Sequence, residues 1–370
     1  MFVGNNLIPS QWGLITINDI IGNQPLEPYS IWNTNVDLDH QRKIRGIIRL
    51  PEQETLVFTT KLGYTVVADP LQVIQGFKHF PKLMEAGELN CFNWLTLNIG
   101  FYPDVVNDLG LSFSLTRDLL FWLGYFYTNG VIDLERNKVG FVSKGKFDEY
   151  IIYLTEKIFA PKEKEIQNNF LFFEGREIID FLLKSNVIRE NLKPDYPLFL
   201  RGCDKNYLYI FLSGTLTASM NLELLKKNIL KFTLNTINIA KVYQQVLLSL
   251  GIVTLLQPVQ INKQLMLYNL YPIGIRSIAL INKHIKFPTE SGLYTILSPD
   301  VNSFLNITFI DSGIRGKAHQ TAVSYLTKII VNTYYGYNDM VFYNAIDGYI
   351  VDQIISKQYM KMDNYNLFIS

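Results

Sequence analysis

From residue 1 to about 80 the apolar positions fall in short runs punctuated by Gly, Pro and Asn, as in NNLIPSQWGLITINDII, KIRGIIRLPEQETLVFTT and YTVVADPLQVI. Alternating, β-branched runs of that length predict strands. The closing stretch MVFYNAIDGYIVDQIISKQYMKMDNYNLFIS has the same character, so one all-β module split between the two ends of the chain is expected. The period changes in the middle. KVGFVSKGKFDEYIIYLTEKIF predicts a strand around Val139 to Val142, then a helix with Phe147, Ile151, Leu154 and Ile158 on one face. NILKFTLNTINIAKVYQQVLLSLGIVTLL predicts a strand around Phe232, a turn and a helix from about Ile239 to Leu250. Between the β-rich opening and the first of these lies LLFWLGYFYTNGVID, read on its own as an aromatic-rich buried helix capped by Gly130.

The two middle segments are copies of one pattern. Gly124 precedes Phe141 by 17 positions, Gly214 precedes Phe232 by 18, and the glycines lie 90 apart. A period of that length predicts two units, each holding a helix, strands and further helices. The charge run PKEKEIQNN at 161–169 is expected to be a solvated connector.

At 370 residues with 48% hydrophobic positions the chain can fill more than one core. Its longest apolar runs, such as VYQQVLLSLGIVTLL, are interrupted well before the roughly 20 residues a membrane-spanning helix needs, which predicts no membrane partner. The opening MFVGNNLIPS lacks the basic head and apolar core of a secretory signal, and the two cysteines, Cys91 and Cys203, suit an intracellular, reducing setting. Lys and Arg total 34 against 33 Asp and Glu, so a nucleic-acid interaction has to come from a local patch. His40, His79, His284 and His319 lack metal-ligand spacing. No strand-borne GxGxxG, P-loop or nucleophile elbow occurs, which disfavours conventional cofactor enzymes.

WLGYFYTNG (122–130) and LSGTLTASM (212–220) resemble two diverged copies of the LAGLIDADG motif of homing endonucleases. PDYPLFLRGCDKNYLYIFLSG and LKFTLNTINIAKVYQQVLLSLGI resemble the stretches that flank the second copy. The resemblance implies that each motif is a helix, and that the two helices pack side by side at the centre of a pseudo-twofold domain. Gly124 with Thr128, and Gly214 with Ala218, would be the small residues at that contact. In the family an acid at the eighth motif position holds a divalent metal for phosphodiester hydrolysis. Asn129 and Ser219 stand at those positions here. The family grips the major groove with strands that follow each motif, which makes Lys138, Lys144, Lys146, Lys227, Lys231 and Lys263 the candidate DNA-binding residues.

The ends extend the resemblance. MFVGNNLIPSQWGLITINDII is similar to the opening block of an intein splicing domain, with Met1 where the nucleophile stands. YTVVADPLQVI resembles the second splicing block, whose usual threonine and histidine correspond to Val67 and Pro70, and YMKMDNYNLFIS resembles the last β segment. The chain therefore resembles an intein carrying a DOD-type endonuclease. The implied fold class is α+β: a split all-β Hint-like (intein splicing) domain flanking a pseudo-twofold, two-repeat LAGLIDADG α/β domain. The implied boundaries are 1–105 and 326–370 for the β domain and 106–325 for the endonuclease-like part, with repeats at about 112–195 and 200–325. Met1, Val67 and Pro70 offer neither a nucleophile nor a proton carrier, so splicing is expected to be lost. Neither Asn129 nor Ser219 brings a charge to a cation, so cleavage is expected to be impaired or lost, and Mg²⁺ is implied only if it survives. Asp133 and Asp204 are weaker candidates as substitute acids. No metal site is expected. The implied partner is double-stranded DNA bound by a monomer, in the nucleus if the source is eukaryotic. The alternatives are an active endonuclease with a degenerate metal site and a decayed relic.

Overall fold

The structure is a computed structural model. It describes residues 2–3, 7–10, 13–22, 30–32, 41–77, 81–98, 100, 102, 114–143, 145, 147–167, 169–185, 187–188, 200, 203–219, 230–261, 266–272, 277, 280–281, 283–289, 292–294 and 349–369. The main helices are α1 (Ile17–Gly22), α2 (Arg117–Asn129), α3 (Asp148–Phe159), α4 (Arg176–Lys184), α5 (Lys205–Ser219) and α6 (Ile237–Ser249). No described helix is long and apolar enough to cross a membrane.

The two ends of the chain meet in one antiparallel sheet of ten described strands. Its spine is a ribbon in which Gln41–Thr60 pairs with Tyr349–Ile369. Gln41–Thr60 runs through Pro51, which cannot donate to a ladder and is tolerated at an irregularity. The register shifts there, because Met362 pairs with Gln53 and Asn364 with Leu50. Glu52 takes a left-handed φ of 49°, and the Asp363 carboxylate closes the bulge by accepting from the Arg49 guanidinium and, at 3.3 Å, from Glu52 N. Beside it, the buried Thr55 and Asn364 side chains pair across the strands.

The middle of the chain forms two halves of like order. In the first, α2 is followed by a four-stranded antiparallel sheet of Gly130–Asp133, Lys138–Val142, Phe170–Glu174 and Glu163–Gln167, with α3 and α4 between and after the hairpins. In the second, α5 is followed by Phe232–Leu234, Met266–Pro272 and Thr254–Gln260, with α6 after the first strand. The segment 161–169, expected to be a connector, instead contains the exposed edge strand Glu163–Gln167.

Helix α2 is buried on every side, from Leu119 through Tyr127, which is the burial expected of an all-round apolar helix. Thr116 caps its start by accepting from Leu119 N at 3.2 Å. Trp122 is fully buried and donates Nε1–H to Thr155 Oγ1 of α3 at 2.8 Å. Its ring stacks on Phe126 and meets Phe141 edge-on.

The β sheet is tied to the second half through the turn at 61–64. Leu62 O accepts from Leu256 N at 2.9 Å and from Gln244 Nε2 at 2.8 Å, while Tyr64 OH accepts from Thr254 N at 3.1 Å. Leu62, Tyr64 and Val253 form a small buried cluster with Leu97, Leu248 and Leu255. The turn is held from behind by Asp352, which accepts from Leu62 N at 3.1 Å and Gln353 N at 2.9 Å.

Burial raises the Asp352 carboxyl to about 6, only partly offset by its hydrogen bonds. A raised folded value means that the native state holds its proton more tightly than the unfolded chain. The contribution of Asp352 to stability is therefore full below about pH 4 and declines as pH rises to about 6. Apart from a constant offset, Asp352→Asn should gain in Tm relative to the natural chain as pH is raised from 4 to 7, measured by thermal unfolding at several pH values.

Candidate site at the paired helix ends

Helices α2 and α5 lie backbone against backbone. A methyl group placed on Gly124 would overlap the Phe211 carbonyl oxygen and sit 3.0 Å from Thr215 N. One placed on Gly214 would overlap the Phe121 carbonyl oxygen and sit 2.8 Å from Tyr125 N. The contact is reciprocal: Phe121, Gly124 and Tyr125 are matched by Phe211, Gly214 and Thr215, each 90 positions later. That is the local signature of a twofold relation within one chain. Thr128 and Ala218 are the next matched pair, and Thr128 Oγ1 lies 3.5 Å from Thr215 O. Gly124 and Thr128 thus stand on α2, and Gly214 and Ala218 on α5.

Asn129 and Ser219 are the last residues of α2 and α5, and both are buried. Asn129 Nδ2 donates to Val142 O at 2.7 Å and reaches Tyr125 OH at 3.4 Å. Ser219 Oγ donates to Thr215 O at 2.8 Å and accepts from Thr233 N at 2.8 Å. Burial pushes the Tyr125 hydroxyl above its ordinary range, so it stays a neutral donor and acceptor. The end of α2 is therefore tied to the strand Lys138–Val142, and the end of α5 to the strand Phe232–Leu234. Sequence reasoning missed the partners Val142 and Thr233, although they stand one residue past the matched Phe141 and Phe232.

Mg²⁺ binds through oxygens, usually including one or two carboxylates. At these ends stand an amide whose nitrogen faces a carbonyl and a hydroxyl whose oxygen is engaged in both directions. These residues do not fit the ion. Among the described residues no group of three or more His, Cys, Asp and Glu could hold a metal. Asp133 accepts from Arg136 N in the turn of its hairpin, and Asp204 accepts from Asn206 N at the start of α5, so both serve local structure.

Of the six lysines considered for DNA, Lys144, Lys146, Lys227 and Lys263 lie outside the described residues, as does Met1. Lys231 is half-buried just before the strand Phe232–Leu234. Lys138 is 18% exposed and pairs with Glu165 at 2.8 Å. Val139, Phe141, Leu171 and Phe173 face the core, so Lys138, Phe170, Phe172 and Glu174 alternate onto the other face of that sheet. Cross-strand register adds Asp133, Glu163 and Glu165 to the same face. The matching face of the second sheet carries Thr233, Asn269 and Tyr271, linked by hydrogen bonds of 2.9 and 3.2 Å. Val67 lies on the strand Thr65–Ala68, and Pro70 O accepts from Gly87 N at 2.7 Å. Neither side chain can carry a proton.

No family profile and no curated protein matches the chain. Among solved structures, the homing endonuclease I-DmoI in complex with DNA and Ca aligns with 48% of this chain and 94% of its own, at 10% identity and a TM-score of 0.34. Full-length DUF199/WhiA from Thermatoga maritima aligns with 61% of this chain and 70% of its own, at 12% identity and a TM-score of 0.33. The N-terminal LAGLIDADG domain of DUF199/WhiA gives 48% and 85%, at 13% identity and a TM-score of 0.31. Scores of this size decide nothing about activity.

Gly124→Ala and Gly214→Ala each force the helices apart and should lower the unfolding free energy by about 3 kcal/mol, the upper end of the usual overpacking cost. The double variant should cost less than the two combined, because one added methyl already separates the pair. Urea unfolding of the three variants checks both statements.

Proposed function

We propose that this chain is a LAGLIDADG-type protein of intein ancestry that binds double-stranded DNA without cutting it, with protein splicing lost as well. The observation that carries this reading is the reciprocal glycine contact of α2 and α5, which ends on two uncharged residues turned into their own strands. The helix pairing that centres such a domain is retained, while the ends lack the carboxylates that metal-dependent hydrolysis needs. Because both halves of the twofold come from one chain, a monomer suffices. The proposed division is a β domain built from 1–105 and 326–370 around a two-repeat part at 106–325, in keeping with the pairing of Gln41–Thr60 with Tyr349–Ile369. A DNA partner implies an intracellular location, nuclear in a eukaryote.

A second reading, a folded relic that no longer binds DNA, is favoured by the acidic outer face of the first sheet. Asp133, Glu163, Glu165 and Glu174 share that face with Lys138, which is already committed to Glu165.

Incubation with a randomised duplex library, in Mg²⁺ or Mn²⁺, should leave the DNA uncut while a gel shift records binding. With Lys138 and Lys164 of the first half's described strands both ion-paired, the affinity should fall only about as steeply with salt as one to three phosphate contacts require. Cutting by the natural protein would establish the active-enzyme alternative, and no shift even at low salt would establish the relic.

A further inference from the structure

The two helix ends meet backbone groups of opposite polarity, at Val142 of the strand Lys138–Val142 and at Thr233 of the strand Phe232–Leu234. Val142 presents a carbonyl, which only a donor can satisfy, and Asn129 supplies Nδ2–H at 2.7 Å. Thr233 presents an N–H, and Ser219 Oγ accepts it at 2.8 Å. An ionised aspartate has nearly the shape of asparagine but no donor, so at position 129 it would set a carboxylate against a carbonyl. At position 219 a carboxylate oxygen can accept the same N–H that the serine accepts now.

We propose that the two metal-ligand positions have been lost unequally: Asn129 now locks α2 to the strand Lys138–Val142 through a donor that no carboxylate replaces, whereas position 219 still accommodates an acid. This rests on the reading above, in which these are the family's two acid positions. The consequence is directional. Returning the acid to the second half leaves that helix end in place, while returning it to the first half pushes the end of α2 off its strand. Cleavage is therefore not regained by restoring the two aspartates.

Each aspartate would add negative charge at the last residue of a helix, so the unfavourable dipole contribution is common to both. Ser219→Asp also loses the donation to Thr215 O at 2.8 Å, and its carboxylate has to turn from that carbonyl toward Thr233 N; the bonds of Asn129 offer no such N–H.

The test is thermal unfolding at neutral pH of the natural chain, Asn129→Asp, Asn129→Ala, Ser219→Asp and the double aspartate variant, with and without Mn²⁺. Ser219→Asp should stay within about 2 °C of the natural chain. Asn129→Asp should fall at least about 4 °C below Ser219→Asp, and below Asn129→Ala. Should Asn129→Asp fail to fold, a lowered Tm for Asn129→Ala still reports the lock. Mn²⁺ should raise the Tm of the double variant no more than that of Ser219→Asp. Equal losses for the two aspartates, an unchanged Tm for Asn129→Ala, or a larger Mn²⁺-dependent rise in the double variant each overturns the inference. A Mn²⁺-dependent rise, or cleavage, in the natural protein overturns the non-cleaving reading instead.

Discussion

Two helices can run backbone to backbone only where neither carries a side chain at the point of closest approach, and this requirement at Gly124 and Gly214 organises the two halves. The Phe211 and Phe121 carbonyls occupy the space that a Cβ would fill, so neither helix can slide or rotate without a clash. With that register fixed, Trp122 and Phe126 of α2 stack on each other and fill the space toward Phe159 of α3 and Phe141 of the first sheet, while Tyr127 packs edge-on against Phe211 of α5. The same register places Asn129 and Ser219 at equivalent ends, where they bond to Val142 O and Thr233 N.

What happens at those ends follows from elementary hydrogen-bond bookkeeping. A buried polar atom left without a partner costs about 1–3 kcal/mol, so each of these buried helix-end residues needs one. Asn129 takes a carbonyl and Ser219 takes an N–H, because strand residues offer both groups and an amide and a hydroxyl can use either. The result is two buried polar residues that tie helix ends to strands.

Much of this was legible in the chain. The strand at Lys138–Val142, helix α3, the strand at Phe232 and helix α6 all stand close to where hydrophobic periodicity placed them, since each buries one face against the same core. The small residues of α2 and α5 came from the resemblance of the two motifs, since the helical pattern alone reads the first motif as an ordinary buried helix. Features set by distant partners were not legible. Pro51 sits inside a 20-residue strand because Asp363, far along the chain, closes the bulge that accommodates it. Glu163–Gln167 looked like a connector because an edge strand needs only one paired side and keeps its charges in water. The opposite polarity at Val142 and Thr233 depends on which backbone group turns toward the helix end, and side-chain identity does not encode that.

The electrostatics of the two sheets separate the halves further. Phosphate contacts supply the sequence-independent part of a protein's hold on DNA, and they require positive charge within about a Debye length, near 8 Å in physiological salt. The outer face of the first sheet offers the reverse, four acids around an ion-paired Lys138. The described face of the second sheet carries the neutral, hydrogen-bonded chain of Thr233, Asn269 and Tyr271, with Asn269 itself buried. The symmetry that the glycines enforce in the helices is not carried outward to the described faces of the two sheets.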